Sequence, residues 1–239
     1  MIKGMSLSFL LCLMFVVSDS RAWGFSLLLS DDFSKTLSFR RMARLVSERT
    51  SIDFSKASVV ERYSLLKGFD GLTQMWLILP SLEPLMVSAS GDAPKLLRND
   101  TVHWLLRGGF LFVETPKSVE VLSKTLLSHP VFARRGARLG PVEVGHELLQ
   151  SYYLIDGMPA CSSFRWAELR FDGRMMALFA PPGFMNALSD SPSGDSQGCF
   201  AAFEKEPLMR AMINTMMVVL TTDYKKDQIH LPEILKRMR

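Results

Sequence analysis

The chain has few of the residues and motifs that mark common kinds of site. It holds three cysteines, and neither Cys161 nor Cys199 has a second Cys or His at the spacing of a zinc site. It has no Walker A loop and no Gly-x-Gly-x-x-Gly, which argues against ATP and dinucleotides. It also lacks Gly-x-Ser-x-Gly and Gly-x-Cys-x-Gly, the strained turns that present a nucleophile. We therefore predict no cofactor and no metal.

The N-terminus has one hydrophobic run, which is too short to span a bilayer. The run Met5–Val17 covers about 13 residues, short of the roughly 20 that span a bilayer. Lys3 precedes it, and the polar stretch Ser18–Ala22 follows it, as in a secretory signal peptide. We predict cleavage after Ala22, export to the periplasm or cell envelope, and a single domain over residues 23–239. An uncleaved membrane anchor is the alternative.

The composition is that of a globular protein with a substantial core. Hydrophobic residues make up 48% of the chain and charged residues 22%. The net charge of +4 is mild, and the basic residues are scattered except at the C-terminus, so we predict no nucleic-acid binding. The basic, amphipathic stretch Tyr224–Arg239 could contact a partner or an anionic membrane surface. We favour a terminal helix packed on its own domain.

Removal of the signal peptide leaves Cys161 and Cys199 as the mature cysteines. In an exported protein such a pair can form a disulfide. Spacing alone does not bring the two α-carbons within bonding reach. We favour two buried free thiols, with a disulfide as the alternative.

Apolar runs alternate with amphipathic segments in the first half of the chain. The strands are predicted at Phe25–Ser30, Ala57–Val60, Met75–Leu79 and Phe110–Val113, and the helices at Ser34–Arg49, Leu65–Phe69, Thr101–Arg107 and Val119–Leu127. Asn99 or Asp100 is the predicted cap of the third helix, and Gly108-Gly109 ends it. This alternation predicts an α/β domain with a mostly parallel sheet.

The second half follows a different pattern. Asp172-Gly173 separates two apolar runs, Phe164–Phe171 and Arg174–Ala180, and predicts a β-hairpin. Glu83–Lys95 is a predicted connector, Gly136–Gly145 and Ser189–Gly198 are predicted loops, and Leu208–Leu220 is a predicted buried helix. The hairpin therefore elaborates the α/β domain.

Carboxylates follow several predicted strands: Asp31, Asp32, Glu83 and Glu114. In a parallel sheet all four would lie on one rim, where they could bind a divalent metal or form an acid/base pair. The interpretation that we favour is that they end strands and cap helices. His146, beside Glu147, could be a base with its orienting carboxylate, but we favour a structural or surface histidine.

Several segments together resemble the bacterial domain-of-unknown-function family 4159. They are Leu105–Glu114, Val144–Leu148, Ser151–Leu154, Arg210–Leu220 and, most specifically, Asp223–Pro232. The resemblance implies a class I glutamine-amidotransferase-like domain, a flavodoxin-type three-layer sandwich. Many members sit behind membrane segments of the aerotolerance-operon type, near von Willebrand-type domains and MoxR-type ATPases. The family has no established catalytic residues, so none is carried over. The chain departs from it at Glu114-Thr115-Pro116 and in its free-standing N-terminus.

These observations favour a non-catalytic exported domain, a degenerate amidotransferase-like scaffold that binds a protein partner in the cell envelope. One alternative is an envelope hydrolase that uses the carboxylate rim and His146, with or without a metal. Another is a small-ligand or carbohydrate-binding module that uses the same rim.

Overall fold

The computed structural model describes residues 26–29, 44, 46–50, 58–59, 75–79, 81–87, 96–161, 164–188, 200 and 203–237. For residues 26–29, 58–59, 75 and 222–237 it describes the backbone alone. Over these residues the protein is an α/β structure with one large mixed sheet.

The strands of this sheet are short and mostly apolar. They are β1 (Ser26–Leu29), β2 (Ser58–Val59) and β3 (Met75–Leu79), then β6 (Phe110–Glu114), β7 (Arg138–Pro141), β8 (Ala167–Phe171) and β9 (Arg174–Ala180). Between β3 and β6, the two-residue strands β4 (Met86–Val87) and β5 (Leu96–Leu97) form a separate antiparallel pair.

The order of strands across the sheet is β2-β1-β3-β6-β9-β8-β7. The first five run parallel, while β8 and β7 are antiparallel to their neighbours. The carboxyl ends of the parallel strands therefore meet at one edge, where Glu114 of β6 lies in register with Ala180 of β9.

The sheet is accompanied by the helices α1 (Asn99–Leu106), α2 (Val119–Leu126), α3 (Pro130–Arg135), α4 (Phe184–Ala187) and α5 (Lys205–Arg237). Short 3-10 turns lie at Glu83–Leu85 and Glu147–Leu149, and residues 46–49 are helical.

The two faces of the sheet carry separate hydrophobic clusters. Because side chains alternate along a strand, Phe110 and Phe112 point to one face and Leu111 and Val113 to the other. The first face packs against α4 and α5, and the second against α1, α2 and α3. Both faces of the central strands are therefore buried, as the unbroken apolar run in β6 predicts.

The glycine pair ends α1 by the expected mechanism. Gly108 has a φ of 112°, and its N–H donates to the carbonyl of Leu105 at 3.3 Å. The N–H of Gly109 donates to the carbonyl of Trp104 at 3.1 Å, which completes a Schellman motif. A Cβ on Gly109 would lie 2.3 Å from Cε2 of Trp104, so the ring requires glycine there. The buried guanidinium of Arg174 also donates to the carbonyls of Leu105 and Gly109.

The predicted hairpin is confirmed. Asp172 and Gly173 both have positive φ, 50° and 71°, as a type I′ turn requires, and Phe171 pairs with Arg174 across the turn. The first predicted hairpin strand begins later than expected, at Ala167.

Several elements were missed by the sequence predictions. The predicted loop Gly136–Gly145 contains β7, an edge strand paired with β8. The helix α3, which was not predicted, begins at Pro130, because proline fits the first turn of a helix. The predicted connector Glu83–Lys95 contributes β4 and a 3-10 turn.

Other boundaries also differ. The predicted cap of α1 is wrong: Arg98 holds the N-cap position without a side-chain cap, and Asn99 and Asp100 lie inside the first turn. The buried helix and the basic C-terminal stretch are one continuous helix, α5. The predicted helix at Leu65–Phe69 and the loop at Ser189–Gly198 lie outside the described residues.

The cysteine prediction is also corrected. Cys161 is disulfide-bonded, not a free thiol. The chain's other cysteines, Cys12 and Cys199, lie outside the described residues. No helix of the part that the structure describes combines the length and the apolar character that crossing a membrane demands.

Candidate functional site

The predicted carboxylate rim is only partly within the described structure. Asp31 and Asp32, after β1, lie outside the described residues. Glu83 and Glu114, after β3 and at the end of β6, are described, and each carboxylate has its own partner.

Glu83 forms a surface ion pair. It is the first residue of a 3-10 turn, and its Oε1 lies 3.0 Å from Nζ of Lys117. Both side chains are substantially exposed, so the pair contributes about 0–1 kcal/mol. The contact connects the segment after β3 to the segment after β6.

Glu114 caps a helix inside the protein. Its side chain is buried, at 8% exposure, and accepts hydrogen bonds from the backbone N–H groups of Gly183 and Met185. Gly183, the N-cap of α4, has a φ of 88°, which turns the chain after β9 toward the carboxylate. Burial raises the pKa of the Glu114 carboxyl, and the two backbone hydrogen bonds partly oppose that rise. The role of a helix cap, which we favoured from the sequence, fits these contacts.

His146 also acts as a cap. Its Nδ1 accepts the N–H of Leu148 at 3.1 Å, which begins the 3-10 turn Glu147–Leu149. Its Nε2 lies 3.1 Å from Oε1 of Glu168, on β8, but is poorly aligned for a hydrogen bond. The alternative that we did not favour, a pairing of His146 with Glu147, is not seen, because Glu147 bonds Arg170 instead.

Arg170 holds the two carboxylates of this cluster. Its Nε and Nη2 donate to Oε1 and Oε2 of Glu168 at 3.0 and 2.9 Å, and Nη2 also donates to Glu147 at 2.5 Å. Burial raises the pKa of Glu168, but the neighbouring His146 and Arg170 outweigh that effect, so the pKa is lowered. The network fastens the segment around His146 to β8.

The same cluster has the composition of a metal site. His146, Glu147 and Glu168 are the one group of three potential ligands within 4.8 Å of one another among the described residues. A neutral imidazole has one donor and one acceptor nitrogen, and Nδ1 here is the acceptor. Nε2 therefore carries the proton and offers no lone pair to a metal. Arg170 also supplies the positive charge that the carboxylates need, so the geometry favours an ion-pair network over a metal centre.

Asn214, a residue that sequence reasoning did not single out as functional, fixes the following segment. It is fully buried on α5. Its Oδ1 accepts the N–H groups of Tyr152 and Tyr153 at 3.1 and 2.7 Å, and its Nδ2 donates to the carbonyls of Leu148 and Tyr153 at 2.7 and 2.8 Å. One side chain thus satisfies four backbone groups. An asparagine inside a largely apolar helical stretch was the available signal.

We refer to residues 142–157 as the presented loop. It is held at its base by His146 and Asn214, yet it exposes large apolar side chains: Val144 at 94%, Leu154 at 82% and Tyr152 at 44%. The hydroxyl of Tyr152 donates to the carbonyl of Arg49 at 2.6 Å, so its ring is held in place as well. The loop therefore combines a fixed backbone with an apolar surface.

A cleft lies beside the presented loop. It has a volume of about 420 Å³ and is lined by residues 154–157 of the loop and by residues 204, 206, 207 and 210 at the start of α5. Glu206 is paired with Arg49 and Arg210, and Arg210 stacks 5.3 Å over the ring of Tyr153. These ion pairs lower the pKa of Glu206, first through Arg49 and then through Arg210.

No protein-family model matches the chain, and no curated protein matches it significantly. The site must accordingly be interpreted from its own geometry, which is that of a rigid apolar loop beside an acidic cleft.

Proposed function

We propose that this protein is an exported, non-catalytic domain of the cell envelope whose presented loop binds a protein partner. Its scaffold would be a flavodoxin-type three-layer sandwich like that of the class I glutamine amidotransferases, as the resemblance to family 4159 implies.

Strand order supports the flavodoxin-type scaffold. When only the parallel strands are counted along the chain, the order β2-β1-β3-β6-β9 becomes 2-1-3-4-5. This is the flavodoxin-like doubly wound order. Hydrophobic clusters on both faces of the sheet fit the same scaffold.

The presented loop is the observation that carries the proposal. Most loops expose polar groups, whereas this one directs Val144, Tyr152 and Leu154 to solvent. Binding costs free energy when a loop must be ordered, and the contacts of Asn214 have already ordered this backbone. Exposed apolar side chains on a fixed backbone are typical of protein–protein contact surfaces.

The contacts of the predicted acid/base residues support a non-catalytic role. Glu114 caps α4, Glu83 pairs with Lys117, and His146 caps a 3-10 turn. Each group stabilises the fold through these contacts. The hydrolase and small-ligand alternatives would rest on Asp31 and Asp32, which lie outside the described residues.

Export is supported by two sequence and structural features. The N-terminus has the three regions of a signal peptide, and Cys161 is disulfide-bonded, as suits an oxidising compartment. N-terminal sequencing of the protein from the producing cells should begin at Trp23. An intact Met1 would contradict the cleavage.

The partner is tested by site-specific photo-crosslinking in intact cells. A photoreactive residue replaces Leu154 in one variant and Val121, an exposed valine on α2, in the matched control. We expect a discrete adduct from position 154 and none from position 121. The absence of an adduct at 154, or the same adducts at both positions, would overturn the proposal.

A further inference from the structure

We infer that the partner of the presented loop is a second copy of this chain, and that the C-terminal half of its α5 occupies the cleft. The inference rests on the proposed function, because it names the occupant of the same surface. Helix length, charge and apolar pattern each support it.

The helix α5 is much longer than the sheet it packs against. At 1.5 Å per residue, its 33 residues extend about 50 Å, whereas the seven residues of β9, the longest described strand, extend about 23 Å. The side chains of α5 are described as far as Thr221, and about 24 Å of helix backbone continues from there to Arg237.

A continuous helix prevents this end from reaching the cleft of its own chain. The cleft lies at the start of α5, beside Glu204 and Arg210. Tyr224 is already about 20 Å along the axis from Arg210, and every later residue is farther away. Pro232 can kink the helix but does not fold it back. A C-terminal half of α5 that fills this cleft must therefore belong to another molecule.

The charges of the two surfaces are complementary. Residues 140–164, which include the presented loop, contain three acidic residues and no Lys or Arg. Asp156 and Glu204 have no side-chain partner in the contacts of the described residues, while Glu206 is already paired. Residues 224–239 contain five Lys or Arg and two acidic residues.

The C-terminal half of α5 also has apolar residues that could pack against the apolar side chains of the presented loop. The helical period groups Tyr224, Leu231 and Leu235 in one stripe, with Lys225 and Lys226 outside it. Leu154 and Tyr152 supply the apolar surface on the loop. Two copies with antiparallel α5 helices would each place a C-terminal half in the other's cleft, which gives a closed two-fold dimer.

A charge-swap experiment tests the dimer. The full exported chain is compared with K225E/K226E, with D156K/E204K, and with all four changes together, by light scattering after size exclusion and by sedimentation at low salt. We expect a dimer for the unaltered chain, about tenfold weaker association for each double variant, and recovery when all four are combined. The control variant Lys124→Glu, which reverses the charge of an exposed residue on α2, should leave the dimer intact.

A monomer at high concentration, or failure of the combined variant to recover, would overturn the inference. So would a monomer that binds vesicles containing anionic lipid through Lys225 and Lys226. If any of these results is found but the adduct at position 154 contains a different protein, the dimer is excluded and the proposed function is still supported. An adduct of two copies of this chain supports both. The absence of any adduct overturns the proposed function itself.

Discussion

Asn214 and Tyr153 bond through both backbone groups of the tyrosine. The side-chain oxygen accepts its N–H at 2.7 Å, and the side-chain nitrogen donates to its carbonyl at 2.8 Å. This is the pairing that a neighbouring strand would provide, supplied here by one amide on a helix. It allows an irregular segment to lie against a buried face without unsatisfied backbone groups.

Replacement of Asn214 by leucine should destabilise the protein by about 3 kcal/mol, because buried backbone groups lose their partners. Urea unfolding measures the loss, and amide exchange of residues 148–155 should accelerate. Thr215→Val is the matched control, since Thr215 is equally buried but bonds only Ala211 of its own helix. The Thr215→Val variant should lose less than about 1 kcal/mol of unfolding free energy. Equal losses in the two variants would contradict the role given to Asn214.

Gly109→Ala should be strongly destabilising. The added Cβ would lie 2.3 Å from Cε2 of Trp104, and the fully buried indole has little room to move. We expect a loss of about 2–3 kcal/mol in the free energy of unfolding. Gly140→Ala provides the comparison, because its Cβ would meet nothing within 4 Å. That variant should stay within about 0.5 kcal/mol of the unaltered protein.

His129 should make stability depend on pH. Its Nδ1 accepts the N–H of Val131 at 3.3 Å, and its Nε2 lies 3.1 Å from Oδ1 of Asn99, so the folded protein holds the neutral ring. Burial, and secondarily His103, lowers the pKa of His129. The unfolded chain therefore binds the proton more readily, and stability falls as pH decreases below about 6.5.

His129→Asn is the variant that checks this dependence. Asparagine can still cap α3 but does not titrate in this range. Between pH 7.5 and 5.5, the variant should lose less unfolding free energy than the unaltered protein. An identical pH dependence in both proteins would show that another group is responsible.

Cys161 should be linked to Cys199 in the exported protein. Cys161 is disulfide-bonded, and the only other candidate, Cys12, lies in the predicted signal peptide. Peptide mapping without reduction should recover the two cysteines in one species that separates on reduction. Recovery of Cys161 as a free thiol, alkylated before reduction, would contradict the prediction.

Local signals predicted much of the fold. The bounds of β3 match the prediction, the glycine pair ends α1, and Asp172-Gly173 makes the hairpin, because each depends on neighbouring residues alone. The edge strand β7 was missed because Gly140 and Pro141 are typical of loops. An edge strand tolerates them, since one side of its backbone is unpaired.

The candidate site was less predictable from sequence. Its contacts join residues that are far apart in the sequence. His146 lies against Glu168 of β8, and Asn214 bonds Tyr153, which is 61 positions away. A pattern of a few residues carries no information about such partners. The sequence could place Glu114 at the end of a strand, but only the path of the chain after β9 reveals the helix that it caps.

The contact between Glu114 and Met185 has a consequence for the order of folding. It joins residues 71 positions apart, and α4, which it begins, has only four residues. A helix that short does not persist in water by itself. It can form only once β6 and β9 lie side by side, with Glu114 opposite Ala180. We therefore expect the α4 segment to form after β6 and β9 have paired, so that changes there alter the unfolding rate more than the folding rate.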